Sequence, residues 1–141
     1  MTGRDYFRGD QQAGISAPDL SKPCAFHDHI VHARGKRTAL TSVSLDRHAI
    51  ARFGECDYLL LRDKLAPDKH ELTEHEDLIA NLTGVAKAET KAERNKALQA
   101  LRYARKRREG IVTWKFDTTS VPRKDLITWA FDHIQTYFRR I

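Results

Sequence analysis

Three kinds of side chain, spaced along the chain, could together break a glycosidic bond beside a phosphate. Arg8 follows Tyr6 and Phe7 near the start, Thr41-Ser42-Val43-Ser44 stands further in, and Glu74-His75-Glu76 lies just past the centre. A guanidinium is a planar, permanently charged fork that matches phosphate oxygens. A hydroxyl on a strand edge hydrogen-bonds a sugar or braces an acid. A carboxylate at the sugar hydroxyls orients the ring and stabilises the positive charge that builds as the bond breaks. Each has a plainer reading beside it: a surface arginine, an edge strand with its hydroxyls outward, and acidic residues opening a helix, where they favour the macrodipole.

The elements that position these residues are set by periodicity and punctuation. Tyr6 and Phe7 lead a brief strand, and Gly9, Gly14 and Pro18 punctuate a loop after it. Phe26, Ile30 and Val31 sit at helical spacing in Ala25 to Ala33, with Gly35 as the stop. Thr38 to Leu45 is rich in β-formers and reads as a strand, leading directly into a helix over His48 to Phe53 that Asp46 caps and Gly54 closes. Tyr58 to Leu61 is a continuous apolar run of the kind a buried strand uses. Leu72 to Leu82 fits either a helix or a strand, and the expectation is a short strand over Glu76 to Ala80. Ala86 to Glu109 is the clearest helix, closing at Gly110, and Ile111 to Phe116 reads as a strand. A last helix opens near Asp125, its apolar face carrying Leu126, Trp129, Ala130, His133, Ile134, Tyr137 and Phe138.

At 141 residues the chain suits one domain, 1–141, with a real core. It is 40% hydrophobic and 31% charged, and no apolar run approaches the length of a membrane span. No conventional secretion signal is visible at the N-terminus, which leaves localisation open, including delivery out of the cell by a signal-independent route. Cys24 and Cys56 are too few for a disulfide framework and are taken as thiols. A net charge of +6 favours acidic or phosphate-bearing partners.

Other motifs carry less. Cys24-x-x-His27-x-His29-x-x-His32 has metal-ligand chemistry, but on one helix Cys24 and His27 share one face and His29 and His32 another, so a helix with a buried histidine or two is the expectation and no metal is assigned. The basic run Arg102 to Arg108, with Lys87, Lys91, Arg94 and Lys96 before it, could lie along a nucleic-acid backbone or be a solvated helix face. There is no Gly-x-Ser-x-Gly elbow, Walker loop or Gly-x-Gly-x-x-Gly.

In their order and spacing, the aromatic-Arg8-Gly9 start, the Asp19-Leu20 and His-bearing helix, Ala39 to Asp46, Ala49 to Gly54 and the glutamate pair resemble the ADP-ribosyltransferase toxins and effectors of the arginine-serine-glutamate branch, over residues 6–80. Val43 stands where that branch has a second hydroxyl residue, and Phe7 lies between Tyr6 and Arg8. The resemblance implies an α+β fold with an ADP-ribosyltransferase-like split β-sheet core and flanking helices. It implies NAD as substrate and transfer of ADP-ribose to a macromolecule, protein more readily than nucleic acid. Its site residues would be Arg8, Gly9, Thr41, Ser42, Ser44 and Phe53 for NAD, with Glu76 and the accessory Glu74 catalytic. Glu74 at that position hints at an arginine acceptor, Phe53 or Tyr58 would stack on nicotinamide, and the loop from Asp63 to Thr73 would meet the target. The carboxylate stays open among Glu71, Glu74 and Glu76. The other reading is a small basic nucleic-acid-binding or interaction module without catalysis.

Overall fold

The computed structural model describes residues 4–32, 37–50 and 53–141. Six strands, β1 (Phe7–Asp10), β2 (Leu40–Ser44), β3 (Cys56–Leu60), β4 (His70–Thr73), β5 (Glu109–Trp114) and β6 (Phe138–Arg140), form one antiparallel sheet in the order β4-β5-β2-β1-β3-β6. Among the described residues five α-helices accompany them: α1 (Phe26–His32), α2 (Arg47–Ile50), α3 (His75–Val85), α4 (Lys91–Arg107) and α5 (Leu126–Ile134). The fold is mixed α and β, a curled antiparallel sheet with flanking helices. Among the described residues, no helix is long and apolar enough to cross a membrane.

Strand alternation divides the core in two. On one face Leu40 and Ile111 meet Leu78 and Leu82 of α3 and Ala100, Leu101 and Ala104 of α4. On the other, Val43, Val112 and Trp114 pack with Tyr6, Tyr58, Ile134 and Phe138. Leu78 and Leu82 are fully buried, and each such side chain contributes about 2 kcal/mol by leaving water. Tyr58 belongs to this core, and its hydroxyl donates to the Gln11 carbonyl at 2.6 Å.

The sheet is not evenly joined. β1 runs beside β3 over four residue pairs, from Phe7↔Leu59 to Asp10↔Cys56, but meets β2 at the single pair Phe7↔Ser44. Beyond that pair the two strands diverge, and the side chain of Arg8 spans the gap by donating to the Ser42 carbonyl at 2.8 Å. A buried carbonyl without its ladder partner is costly, so the guanidinium replaces the missing strand bond. Gly9 lies where α2 presses on β1: a Cβ there would collide with the Ile50 carbonyl.

Three expectations are corrected. Residues 76–80 are helical, not a strand: β4 ends at Thr73 and α3 begins at His75, with Glu76 and Asp77 in its first turn, where acids favour the helix N-terminus. The expected helix from Ala86 to Glu109 begins at Lys91, where the Thr90 hydroxyl accepts from Glu93 N–H at 3.3 Å, and ends at Arg107. Arg108 takes the left-handed conformation, φ 48°, that stops it, so Glu109 and Gly110 lie in β5. After α5 the chain makes one 3-10 turn and adds β6, which the helical reading of Tyr137 and Phe138 had absorbed. Ala33, Gly35, Ala51 and Arg52, ends or parts of expected helices, lie outside the described residues.

Candidate functional site

The wedge between β1 and β2 opens into a cleft of about 690 Å³, a size that suits a nucleotide-sized ligand. Its walls come from β1 and the loop after it, β2, the middle of α1, α2 and the junction of α4 with β5. Arg8, Gly9, Thr41, Ser42, Ser44 and Phe53 all line it. Their side chains differ in what they offer. Thr41 points to the opposite face, where its hydroxyl accepts from the Trp114 indole N–H at 2.8 Å. Ser44 pins the end of β2 to the end of α4, donating to the Arg107 carbonyl and accepting from Asp46 N–H at 2.9 Å. Ser42 and Arg8 remain as the partly exposed polar side chains of this set, with the exposed ring of Phe53 also lining the cleft.

Glu74 and Glu76 are not brought to this cleft. Both stand at the N-terminus of α3, where Arg4 forms a two-pronged pair with Glu76 and Arg62 lies 3.3 Å from Glu74. The hydrogen bond from Arg4 holds the Glu76 carboxyl down at about 2. Glu71 lies on β4, 3.6 Å from Lys115.

The carboxylate that does face the cleft is Glu109, the first residue of β5. It is paired directly with Ser44 across β2, so its side chain shares a face with Ser44 and, one diagonal away, with Ser42. Glu109 is 3% exposed, and burial pushes its carboxyl up to about 7 against the pull of Arg107, Arg8 and a hydrogen bond from Ser42. Arg107 approaches to 3.9 Å on one oxygen. The other, Oε2, is buried and has no hydrogen-bond partner among the described residues. A buried carboxylate oxygen without a partner is uncommon, and this one belongs to a residue that lines the cleft.

His29 completes the floor. Its Nε2 is 2.9 Å from Ser42 Oγ and its Nδ1 is 2.7 Å from Thr38 Oγ1. Burial, helped by the Arg8 charge, lowers its pKa to about 4, so the ring is neutral and carries one N–H. Thr38 Oγ1 accepts from Leu40 N–H at 3.1 Å, so its own hydroxyl donates to Nδ1. That leaves the ring proton on Nε2, where the Ser42 oxygen accepts it.

Arg8 is equally braced. Its Nε donates to Asp10 at 2.8 Å, and Asp10 also accepts from Ser16 and Gln11 N–H groups. Burial opposes ionisation of Asp10, yet Arg8 and these donors hold its carboxyl below the usual range. The guanidinium is thus fixed by Asp10 and the Ser42 carbonyl, with a quarter of the side chain still exposed.

The other histidine of α1 with a described side chain turns elsewhere: His27 Nε2 meets Glu93 at 2.8 Å. Cys24 lies with the α1 cluster, half-buried, and the His32 side chain falls outside the described residues. Glu109 escaped the sequence reading, although strand alternation through Glu109, Ile111 and Thr113 was an available signal. His29 is one of the histidines expected to be buried on the first helix, but nothing in the sequence tied it to Ser42. Comparisons with protein-family models, curated proteins and solved structures return no match.

Proposed function

We propose that the cleft binds NAD and that the chain is an NAD-dependent mono-ADP-ribosyltransferase, with Glu109 in the carboxylate role that the sequence reading gave to Glu76 and Glu74. The observation that carries this is the convergence of Arg8, Ser42 and Glu109 on one cleft, with Glu109 Oε2 buried and unpartnered among the described residues. The divergence of β1 from β2 is what makes room for them, and it agrees with an ADP-ribosyltransferase-like split sheet.

Each residue then has a chemical task. Arg8, fixed on two sides, turns its remaining edge to the pyrophosphate. Glu109 accepts from the ribose hydroxyls and stabilises the positive charge at C1′ as the bond to the nicotinamide nitrogen breaks. That electron pair leaves with nicotinamide, the acceptor's lone pair forms the new bond at C1′, and the acceptor loses a proton. Ser42, diagonal to Glu109 across the β2–β5 pair, borders the carboxylate, and Phe53 offers an exposed ring against which nicotinamide stacks. A Glu109 carboxyl near 7 is only part ionised at neutral pH, and a cationic glycosyl centre beside it favours the charged form. Such a chain acts on a macromolecule as a toxin or effector. Nicotinamide release from NAD by the purified protein, with and without cell lysate as acceptor source, tests the reading.

A further inference from the structure

Between Glu93 and Glu109 the chain carries seven cations, Arg94, Lys96, Arg102, Arg105, Lys106, Arg107 and Arg108, and no acidic residue. The first two are engaged: Lys96 pairs with Asp28 at 2.8 Å, and Arg94 donates to the Ala88 carbonyl at 2.9 Å. Arg102, Arg105 and Lys106 are exposed and have no ion pair among the described residues. A basic last turn is favoured by the helix dipole, but Arg102 stands further back than that effect reaches.

The arrangement on α4 is continuous. Neighbours at three and four residues run from Arg107, which lines the cleft, to Tyr103, then Lys106, Arg102 and Arg105. Arg107 also lies over two rings, 4.9 Å from the centre of Phe53 and 5.2 Å from that of Tyr103. A row of cations with aromatic rings between them, leading out of a cleft, fits an extended polyanion with exposed flat faces. A cationic acceptor such as an arginine side chain would be repelled by Arg107 beside Glu109.

We propose that the C-terminal half of α4 docks a single-stranded nucleic acid, which the cleft receives as the acceptor of ADP-ribose. The acceptor role rests on the transferase reading; docking needs no NAD. Backbone phosphates lie along Arg102, Arg105, Lys106 and Arg107, and an unpaired base stacks at Tyr103, which a duplex could not offer.

The test is fluorescence anisotropy of the full chain with a labelled mixed-sequence strand of about twelve nucleotides, without NAD. Four phosphate contacts at a slope of about 0.7 each weaken binding about 50-fold between 50 and 200 mM salt. The triple variant Arg102→Glu, Arg105→Glu, Lys106→Glu, its fold checked by circular dichroism, is expected to bind weakly and to show only about threefold salt sensitivity. No binding of the strand, binding unchanged in the triple variant, or tighter binding of duplex DNA or of polyglutamate would each overturn the proposal. Nicotinamide release, followed in parallel, separates the two readings. Strand binding without release leaves docking standing and removes the transferase, while release without strand binding removes docking alone.

Discussion

The Nε2 atom of His29 lies 2.9 Å from the hydroxyl of Ser42, joining a short helix to the strand that borders the cleft. Their partners give the contact its direction. Thr38 Oγ1 accepts from the Leu40 N–H and donates its own proton to Nδ1. A histidine that keeps its single proton on Nε2 therefore donates to the Ser42 oxygen and holds that side chain in place.

The first prediction concerns that proton. Nitrogen-15 spectra should show His29 as the neutral Nε2–H form at neutral pH, with protonation delayed to about pH 4. Thr38→Val removes the group donating to Nδ1 and should yield a mixture of tautomers. A wild-type ring protonated on Nδ1 would contradict this arrangement.

Glu109 carries a stability signature that the Gln variant isolates, since His29 titrates in both proteins. Its folded pKa of about 7 exceeds the ordinary 4.5, so the folded protein binds the extra proton between those values. The stabilisation is present below about pH 4.5 and is lost as pH rises through 7. Relative to wild type, Glu109→Gln should therefore gain roughly 3 kcal/mol from pH 4.5 to pH 8. Urea titrations at the two pH values measure it, and a pH-independent difference would mean that the carboxyl is not perturbed.

Arg8 and Asp10 should behave as a unit. Arg8→Met leaves the Asp10 carboxylate 4% exposed without its cation and frees the Ser42 carbonyl, for a loss of about 2 kcal/mol or more. Adding Asp10→Asn should recover part of that loss, with a coupling of about 1 kcal/mol or more in a double-mutant cycle. Additive losses would show that the two do not share an interaction.

How much of this the residues alone could reveal depended on the range of the signals. Thr38 to Leu45 and Tyr58 to Leu61 were legible as strands because their composition is local; β2 lies inside the first, and the second covers the C-terminal part of β3. The cleft-lining set Arg8, Gly9, Thr41, Ser42, Ser44 and Phe53 was legible as a motif, although Thr41 and Ser44 turn out to brace Trp114 and the end of α4. Glu109 was hidden by a competing local signal: seventeen residues of strong helix formers lead up to it, and Gly110 looks like a helix stop. The register β2 imposes on β5 decides otherwise, and register is a long-range property. Glu74 and Glu76 carried the right residue type and spacing; the structure places Glu74 at the N-cap of α3 and Glu76 in its first turn, where acids favour the helix N-terminus.

The most direct measurement is nicotinamide release from NAD by wild type, Glu109→Gln and Glu76→Gln side by side. The account predicts release by wild type and by Glu76→Gln, and a loss of at least about a hundredfold in Glu109→Gln, the scale of removing one electrostatic stabiliser of a transition state. Release that survives in Glu109→Gln and vanishes in Glu76→Gln would contradict it.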